Sequence, residues 1–303
     1  MMKILLWGSG RQYNNISNKI VSQLLGGAEI VGITTNDCIH GSIDGIPVIP
    51  KEEIKNMTFD YIVVMTDNFP YSKVCKEANL LGIDMDKLLS IDVLFLPGFT
   101  IEKYNKLRKS KITIIAPCCL GGYIYHRFRL PFLSPTINLW FSESDYIRLL
   151  KNFKRIITSD LNFYGINYDD RQGRVYPIFS LDDAVLVHMN HTSDSIEAKN
   201  KWDKRVKRIN YDNLLVMNYT SNEEVLSEFD SLPFLKKVCF VPFKSNISSA
   251  WYLPDNIISI LNYPKDLHLG HSVNRWADGR LSAYDMWDLL LSYKKTSRMS
   301  ALE

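Results

Sequence analysis

The stretch that decides the fold is KILLWGSGRQYNN, residues 3–15. A continuous apolar run ends at Gly8 and Gly10 and leads into a segment of helical character. Strands of a parallel sheet, covered by helices on both faces, read as continuous apolar runs rather than alternating ones. The stretch therefore predicts the first strand, turn and helix of an α/β domain.

Three further apolar runs follow in the first hundred residues, at 29–35, 61–66 and 88–95, and helical patterns lie between them at 13–25, 51–56 and 71–82. Alternation of strands and helices predicts a parallel sheet wound on both faces. The basic segment 100–111 then serves as a connector, and we place a domain boundary near residue 105. The predicted domains are a Rossmann-like domain at 1–105 and a second domain at 106–303.

The second domain repeats the α/β pattern. Its helical patterns lie at 143–157, 194–209 and 222–230, and the tail 276–295 reads as one amphipathic helix. Apolar strand runs occur at 111–117, 136–141, 175–181, 184–190, 213–219 and 236–242. The predicted fold class is therefore α/β throughout.

Composition limits the function classes. With 303 residues, 46% of them apolar, the chain can bury two cores. A net charge of +3 gives no sign of a nucleic-acid partner. Five scattered cysteines without a C-x-x-C pair argue against a metal site and suit a reducing compartment. Since no signal segment or membrane-spanning run is visible, we expect a cytoplasmic protein.

The glycine turn offers a site for an anion, because amides at a helix start are unpaired and the helix dipole favours negative charge there. The third glycine of a dinucleotide fingerprint is replaced by Tyr13, which disfavours NAD. A bare strand-to-helix turn is the alternative interpretation. The candidate cofactor-binding residues are Gly8, Ser9, Gly10, Arg11, Thr35 and Asp37.

With the element Gly45-Ile46-Pro47-Val48-Ile49, the first 95 residues resemble the Rossmann-like module found ahead of sugar acyltransferases and within other surface-polysaccharide enzymes. Further matches are Gly8, Gly10, Gly32, Gly41 and Asp60-Tyr61-Ile62. The resemblance implies that a nucleotide or nucleotide-sugar binds near the first glycine turn. The chain has Thr35 where the pattern usually has aspartate.

A second glycine turn, CCLGG at 118–122, opens the second domain. Cys119 would lie near a helix N-terminus, where a thiolate is favoured and a nucleophile could act. Gly121 and Gly122 could leave amides unpaired for a substrate anion. The alternative is a small buried residue in a tight turn, since free cysteines are often buried.

A basic helix is predicted at 194–209. Arg205 and Arg208 lie one turn apart and could bind a phosphate or an anionic polymer, although a solvated basic face is the alternative. His191 precedes the helix at a strand end, where α/β sites collect their working groups. It is a candidate general base or, alternatively, a structural histidine.

Residues 111–240 resemble a bacterial family labelled as exopolysaccharide or lipooligosaccharide biosynthesis proteins. The matching residues are Cys119, Gly121, Gly122, Tyr125, Ser134, Pro135, Thr136, Asp145, Tyr146, Phe153, Tyr176, Pro177, His191, Glu197, Ala198, Trp202, Arg205 and Arg208. The chain departs from the pattern at Leu120 and Thr192. The resemblance implies a pathway rather than a reaction.

Three hypotheses remain open. The first is an enzyme or accessory factor of surface-glycan assembly that binds a nucleotide or nucleotide-sugar. Its second domain would use His191 and Cys119 as catalytic residues, with a substrate site at Gly121, Gly122, Ser134, Thr136, Arg205 and Arg208. The second is a nucleotide-sensing module without turnover, and the third is an NAD-dependent oxidoreductase. The sequence identifies no cofactor and no oligomeric state.

Overall fold

The computed structural model describes residues 1–36, 40–66, 68–170, 173–253 and 265–297. The chain divides into two compact units, Met1–Asn105 (unit 1) and Lys106–Glu303 (unit 2). Every helix in the described ranges is too short or too polar to cross a lipid bilayer.

Unit 1 contains a parallel sheet with helices between its strands, which confirms the predicted fold class. In chain order its elements are β1 (Lys3–Trp7), α1 (Arg11–Asn15), α2 (Asn18–Leu24), β2 (Glu29–Thr34), β3 (Ser42–Ile43), β4 (Ile46–Pro47), a 3₁₀ turn (Lys51–Asn56), β5 (Tyr61–Val64), α3 (Asn68–Leu80), a 3₁₀ turn (Met85–Lys87), β6 (Leu88–Ser90) and α4 (Ile91–Leu94). The main sheet has the order β2-β1-β5-β6. Side chains of β1 and β5 form the core with Ile54, Phe59 and Leu88.

Two local predictions for unit 1 were wrong. The expected single helix at 13–25 is two helices, because the chain is extended at Ile16 and Ser17 begins α2 as its N-cap. The run 88–95 is a strand only as far as Ser90, and α4 follows. Since Ile91, Val93 and Leu94 are all buried, this helix gives the same continuous apolar run as a buried strand.

Unit 2 is also α/β. Its first helix, α5 (Ile101–Ser110), contains the division between the units. The further elements are β7 (Thr113–Ile115), α6 (Leu120–Arg127), α7 (Glu143–Lys151), α8 (Phe153–Ile157), β8 (Leu161–Asp169), β9 (Arg174–Leu181), β10 (Val185–His188), α9 (Ser195–Val206), a 3₁₀ turn (Tyr211–Asn213), β11 (Leu214–Tyr219), α10 (Glu223–Ser231), β12 (Lys237–Val241), β13 (Ala250–Tyr252), α11 (Lys265–Ala277) and α12 (Met286–Ser292).

Two sheets share the core of unit 2. A parallel sheet has the order β13-β12-β11-β7, and an antiparallel sheet has the order β10-β9-β8. Ile115 and Val216 of the first sheet belong to one buried cluster with Phe179 and Val187 of the second. The carboxyl end of β7 is therefore held close to the end of β10, and the candidate site lies there.

Unit 2 also differs from the prediction in several places. The run 136–141 is not a strand, and only Trp140 makes a bridge, to His188. The expected tail helix 276–295 is interrupted, because α11 ends at Ala277 and Gly279 adopts a left-handed φ of +89°. The strand β8 and the helix α11 were not predicted. In β8 the reason is a bulge, because it breaks the alternation of apolar and polar residues by which a half-exposed strand is recognised.

The close packing of β2 predicts the effect of one substitution. A Cβ atom at Gly32 would lie 2.5 Å from Ile49 Cγ1 and 3.3 Å from Leu5 Cδ1, so neighbouring core groups would have to move. We expect Gly32→Ala to lower the free energy of unfolding by about 1–3 kcal/mol, measured by urea denaturation. Gly10→Ala is the control, since nothing lies within 4 Å of its Cβ position. Equal stability of the two variants would contradict the packing argument.

Candidate active site

Cys119 lies between β7 and α6, at the carboxyl end of a parallel strand. It is the N-cap residue of α6, and its carbonyl accepts the first helical hydrogen bond from the Tyr123 amide at 3.0 Å. The side chain is half-buried. Catalytic groups of α/β sheets collect at this edge, and a helix N-terminus favours negative charge on a thiol.

Gly121 and Gly122 allow α6 to approach its neighbours closely. A Cβ atom at Gly121 would lie 3.3 Å from the Ile114 carbonyl oxygen, and one at Gly122 would lie 3.3 Å from Asn138 Oδ1. Both glycines are buried. The structure thus gives them a packing role that fixes the start of α6, while substrate binding by their amides stays a prediction.

His191 is held in a turn between β10 and α9. The Thr192 amide donates to the Met189 carbonyl at 3.1 Å and closes this turn. Asp194 then caps α9 by accepting from the amides of Ile196 and Glu197. The imidazole therefore has a defined position between two regular elements.

The structure brings the two predicted catalytic residues together, although they are 72 positions apart in the chain. The Sγ atom of Cys119 lies 3.1 Å from Nε2 of His191. A thiol and an imidazole at this distance can share a proton, which is the arrangement of a nucleophile and its base. The neighbouring Cys118 is different: it is buried, and burial raises the pKa of its thiol to about 12.

Burial keeps both members of the pair uncharged. It raises the pKa of the Cys119 thiol, an effect opposed in part by the residue's own backbone amide and by the Arg174 cation. Burial also lowers the pKa of His191, and Arg174 lowers it further. Near pH 7 the pair is therefore a thiol beside a neutral imidazole rather than a thiolate beside an imidazolium.

Arg174, at the start of β9, is a site residue that sequence reasoning missed. Its Nη2 donates to the carbonyl of Asn190, so it holds the turn that carries His191. Within the described chain, the buried Nε of Arg174 and the buried Oδ1 of Asn190 have no hydrogen-bond partner. The local sequence gave no signal for this role, because an arginine near a hairpin tip is ordinarily a solvated residue.

A small cavity of about 50 Å³ adjoins His191. Its walls include the cationic side chains Lys201 and Arg205 from α9, together with Trp202. Arg205 Nη1 also donates to the Ile137 carbonyl at 2.8 Å, and burial lowers the pKa of its guanidinium. The other lining residues are Asn138, Met189, Thr192 and Ala198. Of the predicted substrate-binding residues, only Arg205 lines this cavity.

The other predicted substrate-binding side chains make contacts with the protein itself. Ser134 and Thr136 are fully buried and lie 3.1 Å apart through their hydroxyls, and Thr136 Oγ1 accepts from the Ala116 amide at 3.1 Å. Arg208 Nη1 approaches the Phe132 carbonyl at 3.5 Å. These contacts attach the loop 132–137 to the residues that directly follow β7 and α9.

The first glycine turn lies at the carboxyl edge of the sheet in unit 1. Gly8 has a φ of +111°, and its amide donates to the Thr34 carbonyl at 2.8 Å. Thr35 is buried, and its hydroxyl accepts a hydrogen bond from Ser9 Oγ at 2.8 Å. Gly10 and Arg11 are exposed. The predicted contact Asp37 lies outside the described residues.

Tyr13 takes the place of the third glycine of a dinucleotide fingerprint. Its ring is buried, and its hydroxyl donates to Asp44 Oδ2 at 2.9 Å and accepts from Asn18 Nδ2 at 2.8 Å. The helix that follows the turn, α1, has only five residues. A short helix gives a weaker dipole at the turn than the long first helix of a dinucleotide-binding domain.

Two family models match parts of the chain. A family model described as a domain of unknown function (DUF1919) matches residues 91–266. A model described as C2185-like, N-terminal, matches residues 1–89. An uncharacterized protein of Haemophilus influenzae (strain ATCC 51907 / DSM 11121 / KW20 / Rd) is 33% identical over 154 residues, which cover 49% of this chain and 71% of that protein.

One solved structure, described as an NAD-binding protein from Listeria innocua, is similar at 8% sequence identity with a TM-score of 0.23. The match covers 61% of this chain and 65% of that chain, which is less than two thirds of its length. A similarity this distant carries no argument about ligands. The polysaccharide pathway also stays a prediction, since neither family description mentions it. Because the DUF1919 model matches more than half of this chain, the chain belongs to the DUF1919 family.

Proposed function

We propose that the chain is a cysteine-dependent acyltransferase of bacterial cell-surface polysaccharide biosynthesis. The observation that carries the proposal is the 3.1 Å contact between Cys119 Sγ and His191 Nε2 at the start of α6. The resemblance of both units to polysaccharide proteins supports the pathway. The five scattered cysteines, which suit a reducing compartment, support a cytoplasmic location.

The uncharged state of the pair determines the first step. Since His191 is neutral, its Nε2 can accept the Cys119 proton while Sγ attacks the carbonyl carbon of an activated acyl donor. The C–S bond of a thioester forms, the bond to the leaving group breaks, and the imidazolium returns its proton to the leaving group. Arg174 stabilises negative charge that develops on sulfur or on the carbonyl oxygen.

The second step reverses these roles. His191, neutral again, accepts the proton of an acceptor hydroxyl, whose oxygen attacks the thioester carbonyl. The new ester forms, the C–S bond breaks, and the proton returns from His191 to Cys119. All the atoms and protons that move in the two steps come from the acyl donor, the acceptor hydroxyl, Cys119 and His191. Sugar hydroxyls are acceptors of this class, which agrees with the proposed pathway.

The cavity beside His191 limits what can bind there. On the same measure one water molecule needs roughly 10–15 Å³, so a volume of about 50 Å³ is several times what one water needs. The cavity has room for a small group, such as an acetyl group or part of a phosphate. Arg205 gives it positive charge, whereas Lys201 is paired with Glu197 at 2.7 Å, and this charge favours a substrate that bears an anionic group nearby.

We infer that unit 1 binds the nucleotide or nucleotide-sugar. Gly8, Thr34 and Thr66 lie at the carboxyl ends of the strands β1, β2 and β5. In the sheet, β1 lies between β2 and β5, so the strand order reverses direction at β1. Ligands of α/β sheets bind at such a switch point. Among the described residues, the buried hydroxyls of Thr34 and Thr66 have no hydrogen-bond partner, which supports a polar ligand. Tyr13 and Thr35 disfavour NAD.

A burst experiment tests the nucleophile. With p-nitrophenyl acetate as the probe, we expect a burst of p-nitrophenol equal to the protein concentration and acetylation of Cys119, measured by absorbance and peptide mass spectrometry. Cys119→Ser should abolish the burst, and His191→Gln should slow it about 10²- to 10⁴-fold because no base accepts the proton. Cys118→Ala is the matched control and should keep the burst. Acetylation elsewhere, with Cys119 unmodified, would refute the proposal.

Alkylation rates test the electrostatic role of Arg174. Because this cation lowers the pKa of Cys119, Arg174→Met should move the iodoacetamide rate profile of Cys119 to higher pH, so the rate at pH 8 falls several-fold. Arg174→Lys should restore most of the rate, since it keeps the charge. Arg155→Met removes a cation paired with Asp182 and serves as the control. An unchanged profile in Arg174→Met would contradict the assignment.

Thermal stability tests the ligand of unit 1. Nucleoside diphosphates or their sugar conjugates should raise Tm, because a ligand that binds only the native state stabilises it by mass action. Thr34→Val together with Thr66→Val should remove the increase without removing the p-nitrophenyl acetate burst. No increase with any nucleotide would end the nucleotide proposal, whereas an increase with NADH alone would favour an oxidoreductase. A nucleotide response in a chain that gives no burst would favour a sensor.

A further inference from the structure

One face of the β8–β9 hairpin is apolar along its whole length. Leu181, Phe179, Pro177 and Val175 alternate along β9 and therefore share a face. Their cross-strand partners on β8 lie on the same face. We call these eight residues the hairpin face: Leu161, Phe163, Ile166, Tyr168, Val175, Pro177, Phe179 and Leu181.

A β-bulge keeps the hairpin face continuous. Phe163 pairs with Phe179 but Gly165 pairs with Ile178, so Tyr164 is the extra residue in β8. After the bulge the alternation is shifted by one, and Ile166 and Tyr168 come to the same side as Phe163. The edge-to-face contact of Phe163 with Phe179, at 5.8 Å between ring centroids, agrees with this assignment.

The two ends of the hairpin face differ in burial. Leu161, Phe179 and Leu181 are packed in the core of unit 2. Toward the tip, Phe163 is 57%, Ile166 69%, Tyr168 54% and Val175 49% exposed. The same apolar face thus continues from the core into solvent, and it contains no lysine, arginine or acidic residue that would suit it to water.

The exposed area is large enough for self-association. A large apolar side chain that is half to two thirds exposed presents about 100–150 Å², so the four give about 500 Å² per copy. Two copies would bury about 1,000 Å² in total, the size at which specific interfaces begin. A two-fold interface uses the same patch twice, so an uncharged apolar patch is complementary to itself.

We propose that two copies of this chain associate by packing their hairpin faces together about a two-fold axis. Two stacked sheets lie about 10 Å apart, and the side chains between them interdigitate. The exposed rings of Phe163 and Tyr168 suit this packing. The opposite face of the hairpin carries Arg174 and Tyr176, which contact the turn and strand next to His191. The association therefore leaves the Cys119–His191 pair accessible, and the proposal does not depend on the proposed reaction.

Sedimentation equilibrium of the full chain tests the proposal. We expect a monomer–dimer equilibrium with a dimer of twice the 35.0 kDa chain mass at micromolar concentration. Ile166→Lys and Tyr168→Lys should each weaken the dimer at least tenfold, because a charge would be buried between the copies. Leu235→Lys is the matched control: Leu235 is a 96% exposed apolar residue of the same unit outside the hairpin, and its change should leave the equilibrium unaltered.

Circular dichroism and Tm of each variant distinguish a lost interface from a lost fold, since these positions are solvent-exposed in one copy. A milder variant, Ile166→Thr, keeps the β-branched shape and should weaken the dimer less than Ile166→Lys. A wild-type chain that is monomeric at 100 µM would overturn the proposal and leave the hairpin face to another partner. A dimer unaffected by both lysine variants would overturn it equally.

Discussion

The close approach of α6 to β7 is the constraint on which the candidate site depends. Gly121 has no side chain, and its Cβ position would already lie 3.3 Å from the Ile114 carbonyl oxygen. The helix can therefore rest directly on the strand, with its first turn at the carboxyl end of β7, close to the end of β10 in the second sheet. This contact determines where Cys119 lies, and the turn fixed by Arg174 determines where His191 lies. The 3.1 Å contact follows from two separate pieces of backbone packing.

Burial of the pair has a chemical consequence. A preformed thiolate–imidazolium pair would react with many electrophiles, whereas a neutral pair is activated only when a substrate lies in position for attack. Arg174 acts on both groups in the same direction: it lowers the pKa of Cys119, which favours the thiolate, and that of His191, which favours a free base. In the proposed reaction, this one cation would therefore assist both the nucleophile and the base without charging the imidazole.

The sequence predicted most of the parallel strands, because these strands are continuous apolar runs between helical or turn segments. The same kind of run was misleading at 91–95, which contains the buried helix α4, and at 136–141, which is not a strand. The sequence also gave Cys119 and His191 as separate candidates, one from a glycine turn and the other from a strand end. It could not bring them together, since their contact depends on packing between distant segments. Arg174 was missed for the same reason, because the carbonyl to which it donates, that of Asn190, is sixteen residues away in the sequence. Ser134 and Thr136 were chosen from their match to a family pattern, and the local pattern did not reveal that both are buried and bonded within the protein.

The β8–β9 hairpin shows how one local irregularity gives its two faces a different chemical character. Strand side chains alternate with a period of two, so the extra residue at Tyr164 exchanges the faces of all later positions in β8. With the bulge, Asn167 lies beside Tyr176 and donates to its hydroxyl at 2.9 Å, on the face that leads to His188. Without it, Tyr168 would point to that polar face and Asn167 to the apolar one. The bulge therefore supports the polar packing behind the candidate active site and, by the same shift, completes the apolar hairpin face.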